Sequence, residues 1–327
     1  MKFSLGPYLS GATDLYPTLR QHAALAEEEG FDSIWIEPGN QSCGASPFVV
    51  GAWVARQTKA LRIAVRPVVG LVHPLYAAED AAALDLISNG RLLFAPLAPS
   101  PTQAAVYALD PNQARAAFWE SLEVLPRAWS PEPFQHSGER WRIPAHVGGN
   151  REVAAVAEVS VTPKPAQTIV PIWLEEIADQ SLPAPVVQVA GRSTPVEEIA
   201  ERLRPRDGCV PTVRALLRDV VVAETEQEAA NLSRLLEGSD RRCLICGDVE
   251  QVVAQLQGLR DAGANYLVCR IALSGLSPEE SLNSLRLLAR AVAPRFRMAS
   301  FPGEIRVHTI EETQSPVIGY LREGAAI

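Results

Sequence analysis

Residues 62–95, RIAVRPVVGLVHPLYAAEDAAALDLISNGRLLFA, constrain the fold more than any other stretch. Ile63–Val69 is a short apolar run rich in β-branched residues, interrupted by Arg66 and Pro67. Such a run suits a strand whose end leaves a sheet. His73 and Pro74 then open a helix, since proline is tolerated in a first turn. Leu75, Ala78, Ala82 and Leu86 recur three or four residues apart and predict one apolar face. Ser88-Asn89-Gly90 ends the helix, because Asn and Gly accept the left-handed conformation of a C-terminal cap. Arg91–Ala95 starts the next apolar strand. A strand–helix–strand unit of this length predicts a parallel pair joined by a right-handed crossover.

The rest of the chain repeats this unit. Strands are expected at Lys2–Leu5, with Gly6-Pro7 as the following loop, and at Ser33–Ile36. Four more are expected at Pro171–Leu174, Val186–Ala190, Val213–Ala223 and Tyr266–Ile271. Helices are expected at Tyr16–Glu29, Pro47–Lys59, Thr194–Leu203, Thr225–Leu236, Asp248–Ala262 and Ser277–Val292. After the fourth strand Pro96, Pro99 and Pro101 argue against an orderly helix start. The next helix is Asn112–Trp129, with Ala116, Trp119, Leu122 and Leu125 as its face. Ser130–Pro144 predicts a hairpin turning at Gly138, and the helix after strand five, Asp179–Pro185, is short. Eight strands with intervening helices predict a (β/α)8 TIM barrel formed as one domain over residues 1–297. An insertion at about 130–170 follows strand four, and 298–327 form a tail, with a strand-like piece at Glu304–Ile310, that covers a sheet edge, reaches a partner subunit or stays loose.

Composition narrows the function classes. The 327 residues are 47% hydrophobic, enough for a large core, and the net charge of −8 comes with no basic block. Nucleic acid and anionic membrane are therefore poor partners. Five irregularly spaced cysteines suggest no disulfide framework, and with no charged leader at the N-terminus a cytoplasmic location is expected. No apolar run reaches the length of a membrane span.

Four stretches carry a family resemblance. LAEEEGFDSIWI, LVHPLYAAEDAAALDLISNGRL, FWESLEVLPRAWSPEPFQHSGERWRIP and the segment from Gly247 to Arg297 resemble, in order, successive segments of the luciferase-like flavin-dependent monooxygenases. The resemblance implies a TIM barrel binding reduced FMN, or a deazaflavin, at its C-terminal mouth. It implies oxidation of a small organic substrate by oxygen activation or hydride transfer, a flavin reductase as partner, and a homodimer or heterodimer. The chain departs from the family pattern at that mouth. No histidine follows strand two, where Glu37-Pro38-Gly39 stands. Pro96-Leu97-Ala98-Pro99-Ser100-Pro101 replaces a glycine-rich turn after strand four. Glu175-Glu176 follows strand five, where two carboxylates would repel a flavin phosphate unless they point away. The alternative is therefore a flavin-free relative, either a non-catalytic partner subunit or an enzyme using the emptied pocket for non-redox chemistry.

Candidate site residues lie at strand ends, where barrel chemistry is placed. Glu37 is a candidate acid or base, against a solvated loop carboxylate. Arg66 is a candidate for pairing an anionic group, against a structural ion pair with Glu37 or Glu175. His73 is a candidate contact to substrate or cofactor, against a residue that simply begins a helix. Trp173, Ala95, Glu175 and Arg270 are candidate cofactor contacts, with Trp173 either stacking on a ring or filling the barrel. Cys243-Leu244-Ile245-Cys246 lacks the further ligands of a zinc site. His136 and His146 are expected on the surface or on a lid, and Phe118, Trp119 and Trp129 in the core.

Overall fold

The computed structural model describes residues 1–9, 15–38, 45–145, 156–175, 182–203, 213–236 and 240–297. The tail, His146, Glu176 and residues 179–181 of the short helix expected at 179–185 lie outside the described residues, and 182–185 are not helical.

The strands are β1 (Lys2–Leu9), β2 (Ser33–Glu37), β3 (Arg62–Val65), β4 (Leu92–Phe94), β5 (His136–Ser137), β6 (Arg142–Ile143), β7 (Ile172–Leu174), β8 (Val186–Ala190), β9 (Ala215–Ala223), β10 (Ile245–Asp248) and β11 (Tyr266–Arg270). The helices are α1 (Leu15–Glu28), α2 (Pro47–Gln57), α3 (Pro74–Ser88), α4 (Pro101–Val106), α5 (Pro111–Trp129), α6 (Val196–Arg202), α7 (Glu226–Leu235), α8 (Val249–Asp261) and α9 (Pro278–Leu287). Eight parallel strands close a barrel in the order β1-β2-β3-β4-β7-β8-β9-β11, with β11 returning to β1 and β8 pairing β9. The expected strand set is therefore the barrel. β10 is additional. It pairs with the last four residues of β9, beyond the part of β9 that pairs with β8 and β11.

Three local expectations change. β1 does not stop before Gly6-Pro7 but runs through it to Leu9, with an irregularity of register against β2 between Leu5 and Tyr8. Gly6 holds φ +100°, and a Cβ there would sit 2.4 Å from the Trp35 carbonyl oxygen, so only glycine fits. Pro101 begins a helix rather than preventing one. Ser100 and Gln103 form a reciprocal capping box, and the proline occupies a first-turn position that needs no N–H. The prolines before it also keep their ladder. The amides of Ala95 and Leu97 donate to Val65 and Pro67, so Pro96 falls where no donor is required.

The apolar faces are rotated from the simplest periodic choice. On α3 the buried positions are Ala77, Ala78, Ala81, Ala82, Leu84 and Asp85, while Leu86 is exposed. On α5 Ala117, Phe118, Ser121, Leu122, Leu125 and Trp129 are buried, while Ala116 is exposed and Trp119 half-buried. Asn89 caps α3 in the left-handed region at φ 57°, as Ser88-Asn89-Gly90 requires. Arg91 then bonds the carbonyls of Ala55, Thr58 and Leu61 and ties α3 to the α2–β3 connection. The hairpin β5–β6 is present, and Glu120 of α5 holds it by accepting from His136 and from the amides of Arg140 and Trp141. His136 is thus buried and paired rather than on the surface.

Candidate active site at the barrel mouth

Side chains alternate across each strand, so every second residue enters the lumen. The lumen holds two polar layers separated by an apolar one. The lower layer is centred on Tyr266, whose hydroxyl meets Ser4 Oγ at 2.7 Å, Ser33 Oγ at 2.8 Å and Asp32 Oδ2 at 2.6 Å. Trp35 Nε1 donates to Ser33 at 2.9 Å. The middle layer is Trp35, Ala64, Leu93, Ala95, Trp173, Val189, Leu217 and Val268. Trp173 crosses it, with ring centroids 5.6 Å from Trp35 and 5.1 Å from Tyr266. Trp173 therefore fills the barrel rather than standing free at its rim, and its Nε1 is buried with no hydrogen-bond partner among the described residues.

The upper layer is charged. β2 places Glu37 beside Arg66, one residue past the Ile36–Val65 register pair. The Arg66 guanidinium lies over the Trp35 ring, 5.7 Å from its centroid. It binds Glu37 Oε2 at 3.1 Å and, through its other terminal nitrogen, the Glu175 carboxylate. Both ion pairs foreseen as structural alternatives thus form at once. Arg66 is only 3% exposed, yet its Nε has no acceptor among the described residues. Burial alone would lower the guanidinium, but Glu175 and Glu37 outweigh it and hold its pKa above the ordinary value. Burial pushes the Glu37 carboxyl up, with Glu175 adding to the rise, against the pull of Arg66, Arg270 and Arg192. Across the mouth Arg270 makes a two-pronged pair with Asp219, at 2.7 and 2.8 Å.

His73 does not join this cluster through any described contact. It caps α3 through Nδ1, which accepts from the Leu75 amide at 3.3 Å, and packs edge-on against Trp141 of the hairpin. Burial lowers its pKa, with Glu79 acting in the opposite sense. Cys243 and Cys246 approach different carbonyls, those of Thr194 and Ala229.

One cleft-lining element was absent from the sequence candidates. Gly191-Arg192-Ser193-Thr194-Pro195, between β8 and α6, lines a cleft of about 450 Å³ with Glu175, Glu198 and Arg202. The turn folds around Arg218 of β9, which is buried on the far side of its strand from Leu217 and Asp219. Its guanidinium donates to the carbonyls of Gly191 and Arg192 at 3.0 Å each, and to that of Thr194. With these carbonyls engaged, the amides of Arg192 and Ser193 have no partner among the described residues. Amides, hydroxyls and the Arg192 guanidinium are thus available to an anion, a combination that phosphate groups favour. Glu175 borders the same space. Oε1 is drawn to Arg66, and the other carboxylate oxygen lies 2.9 Å from where a Cβ on Gly191 would stand. The signal that points to the turn is a Gly-Arg-Ser-Thr-Pro sequence directly after a barrel strand.

Residues 3–234, more than half of the chain, match the luciferase-like monooxygenase family, and the chain belongs to that family. It is 27% identical over 157 residues to the oxygenase component of a flavin-dependent trigonelline monooxygenase from Acinetobacter baylyi, a match spanning 44% of this chain and 43% of that protein. Its fold resembles monooxygenase RslO1 from Streptomyces bottropensis, with a TM-score of 0.72, 19% identity, and 91% of this chain and 100% of that one covered. It also resembles the oxygenating constituent of 3,6-diketocamphane monooxygenase from Pseudomonas putida, a type II Baeyer-Villiger monooxygenase solved with FMN. That TM-score is 0.67 at 18% identity, covering 91% of this chain and 99% of that one. At such identities the two structures speak for the fold alone.

Proposed function

We propose that the protein is an oxidoreductase that uses a reduced flavin, FMN or a deazaflavin, to oxidise a small organic substrate at the C-terminal mouth of its barrel. The observation that carries this reading is the Gly191–Pro195 turn. Three of its carbonyls accept from Arg218, and the amides of Arg192 and Ser193, without a partner among the described residues, lie beside the Arg192, Ser193 and Thr194 side chains that suit a phosphate. Those residues would hold the phosphate end of the cofactor. The flavin, when bound, supplies oxygen activation or hydride transfer. Around it the chain provides a candidate acid or base in Glu37 and a fixed positive charge in Arg66, with Trp35 and Trp173 closing the lumen below to water. A flavin reductase as partner is supported by the relative named as an oxygenase component. Association as a dimer is kept from the family resemblance.

The flavin-free alternative is weakened at one of its three supports. The prolines after β4 continue a ladder, whereas Glu175 engages Arg66 through one oxygen and borders Gly191 with the other, and Glu176 lies outside the described residues. The histidine-free loop after β2 remains.

The test is an anaerobic titration of the protein with oxidised and with reduced FMN, followed by flavin fluorescence and absorbance. Saturable micromolar binding, weakened at least tenfold by Arg192→Ala, supports the proposal. No binding of either redox state, with a deazaflavin also excluded, overturns it.

A further inference from the structure

The cleft and the mouth share two charged residues. Glu175 lines the cleft and also shares the Arg66 guanidinium with Glu37. Arg192 lines the same cleft and is among the cations acting on Glu37. Glu175 is braced for this double role, because Arg202 donates to its carbonyl at 3.0 Å and Gln188 holds the preceding carbonyl at 2.9 Å. From these shared residues we propose that Glu37 takes up a proton when an anion enters the cleft beside Gly191–Pro195, so that cofactor arrival arms a proton donor at the barrel mouth.

The physical argument is electrostatic. The groups facing Glu37 are Arg66 after β3, Glu175 after β7, Arg192 after β8 and Arg270 on β11, with Asp219 of β9 bound to Arg270. An anion in the cleft engages Arg192 and adds negative charge beside Glu175. Glu175 then draws more strongly on the shared guanidinium, and both changes raise the free energy of a charged Glu37. The proton comes from solvent and binds a Glu37 carboxylate oxygen, and no bond of the ligand changes. Arg66, mostly enclosed and with no acceptor for Nε among the described residues, has the adaptable donor that such a redistribution needs. By reciprocity, protonation of Glu37 must tighten anion binding by the same factor.

This inference rests on the proposed cofactor cleft, and one experiment separates the two. FMN is titrated calorimetrically in two buffers of different ionisation enthalpy, with wild type and with Glu37→Gln. The FMN phosphate titrates by itself, so the quantity of interest is the difference between the proteins. Wild type should take up an additional fraction of a proton per FMN. Its affinity should fall with rising pH more steeply than that of Glu37→Gln, by at most a further tenfold per pH unit. Glu175→Gln should lose the excess uptake while still binding FMN, and riboflavin, which has no phosphate, should elicit none. Thermal melts matching wild type confirm that both variants fold. Equal uptake in wild type and Glu37→Gln overturns the inference and leaves the cofactor site standing. Absence of FMN binding overturns the cofactor site, and inorganic phosphate then reads the coupling instead. No excess uptake with phosphate overturns it too.

Discussion

The two polar layers of the lumen are built from similar material to opposite ends. In the lower layer Ser4, Ser33, Trp35, Asp32 and Tyr266 satisfy one another within 2.6–2.9 Å, and Lys2 stands at 3.2 Å from Asp32 at the rim. In the upper layer one guanidinium serves two carboxylates, and its Nε has no acceptor among the described residues, a lack shared by Trp173 Nε1 in the apolar layer beneath and by Arg62 Nε beside Asp32 at the base. Trp35 and Trp173 show the contrast best. They touch edge to face in the same core, yet one donates to a serine and the other to nothing described. A satisfied network makes the closed end of a barrel rigid. An unsatisfied one marks the end where a ligand completes the hydrogen bonding.

The contrast predicts unequal responses to substitution. The largest is expected for Arg66→Met. It strands Glu37 and Glu175 without their shared cation and should cost about 3–5 kcal/mol in denaturant unfolding. Adding Glu37→Gln and Glu175→Gln should recover most of that loss. A loss under 1 kcal/mol for the single variant would show the upper layer to be solvated rather than built.

A second response belongs to neither layer and serves as a control. His22 of α1 is fully buried, with Tyr8 Oη 2.6 Å from Nδ1 and Ser281 Oγ 3.4 Å from Nε2. Burial lowers its pKa from 6.5 to about 4. The neutral ring is the folded form, so its contribution is complete above the unfolded value. It is lost as pH falls from about 6.5 through about 4, by about 3 kcal/mol in all. Urea midpoints measured across that window should fall for wild type and flatten for His22→Gln. An unchanged slope in the variant would transfer the acid sensitivity to another group.

A smaller effect is expected in the lower layer. Tyr266→Phe removes a hydroxyl that three partners use and should cost about 1–3 kcal/mol. The smallest and sharpest test is the tryptophan pair. Trp35→Phe leaves Ser33 without its donor, whereas Trp173→Phe removes a group that has no acceptor. After the similar loss of ring area, Trp35→Phe should be the more destabilising by about 1 kcal/mol. Equal losses would mean that Trp173 Nε1 is satisfied in solution.

The alternation of strand and helix was legible in the sequence because apolar periodicity and caps are local. Ser88-Asn89-Gly90 and the short runs at Ile172–Leu174 and Val186–Ala190 placed their elements correctly, even with strands of three to five residues. The helix faces were less legible. Ala116 and Leu86 fit a 3.6-residue period, but the packing of α3 on α5 selects a neighbouring stripe, and alanine and leucine at the edge of a face read alike. Arg66, Glu37 and Glu175 could be foreseen as partners, since all three sit at strand ends. That one guanidinium serves both carboxylates depends on β2, β3 and β7 standing close in a closed barrel, which no local signal carries. The Gly191–Pro195 turn was missed because Thr194 reads as the start of the helix expected at Thr194–Leu203. Its character comes from Arg218, some twenty-five residues later, whose side chain points away from the lumen to collect the carbonyls of the turn.

The most direct test of a poised mouth above a closed base is a crystal structure of the protein soaked with FMN. The account predicts phosphate density between Arg192, Ser193 and Thr194, with the Glu37–Arg66–Glu175 group rearranged and the Tyr266 layer unchanged. Phosphate bound elsewhere on the barrel, or a saturating soak that leaves the cleft without density, would contradict it.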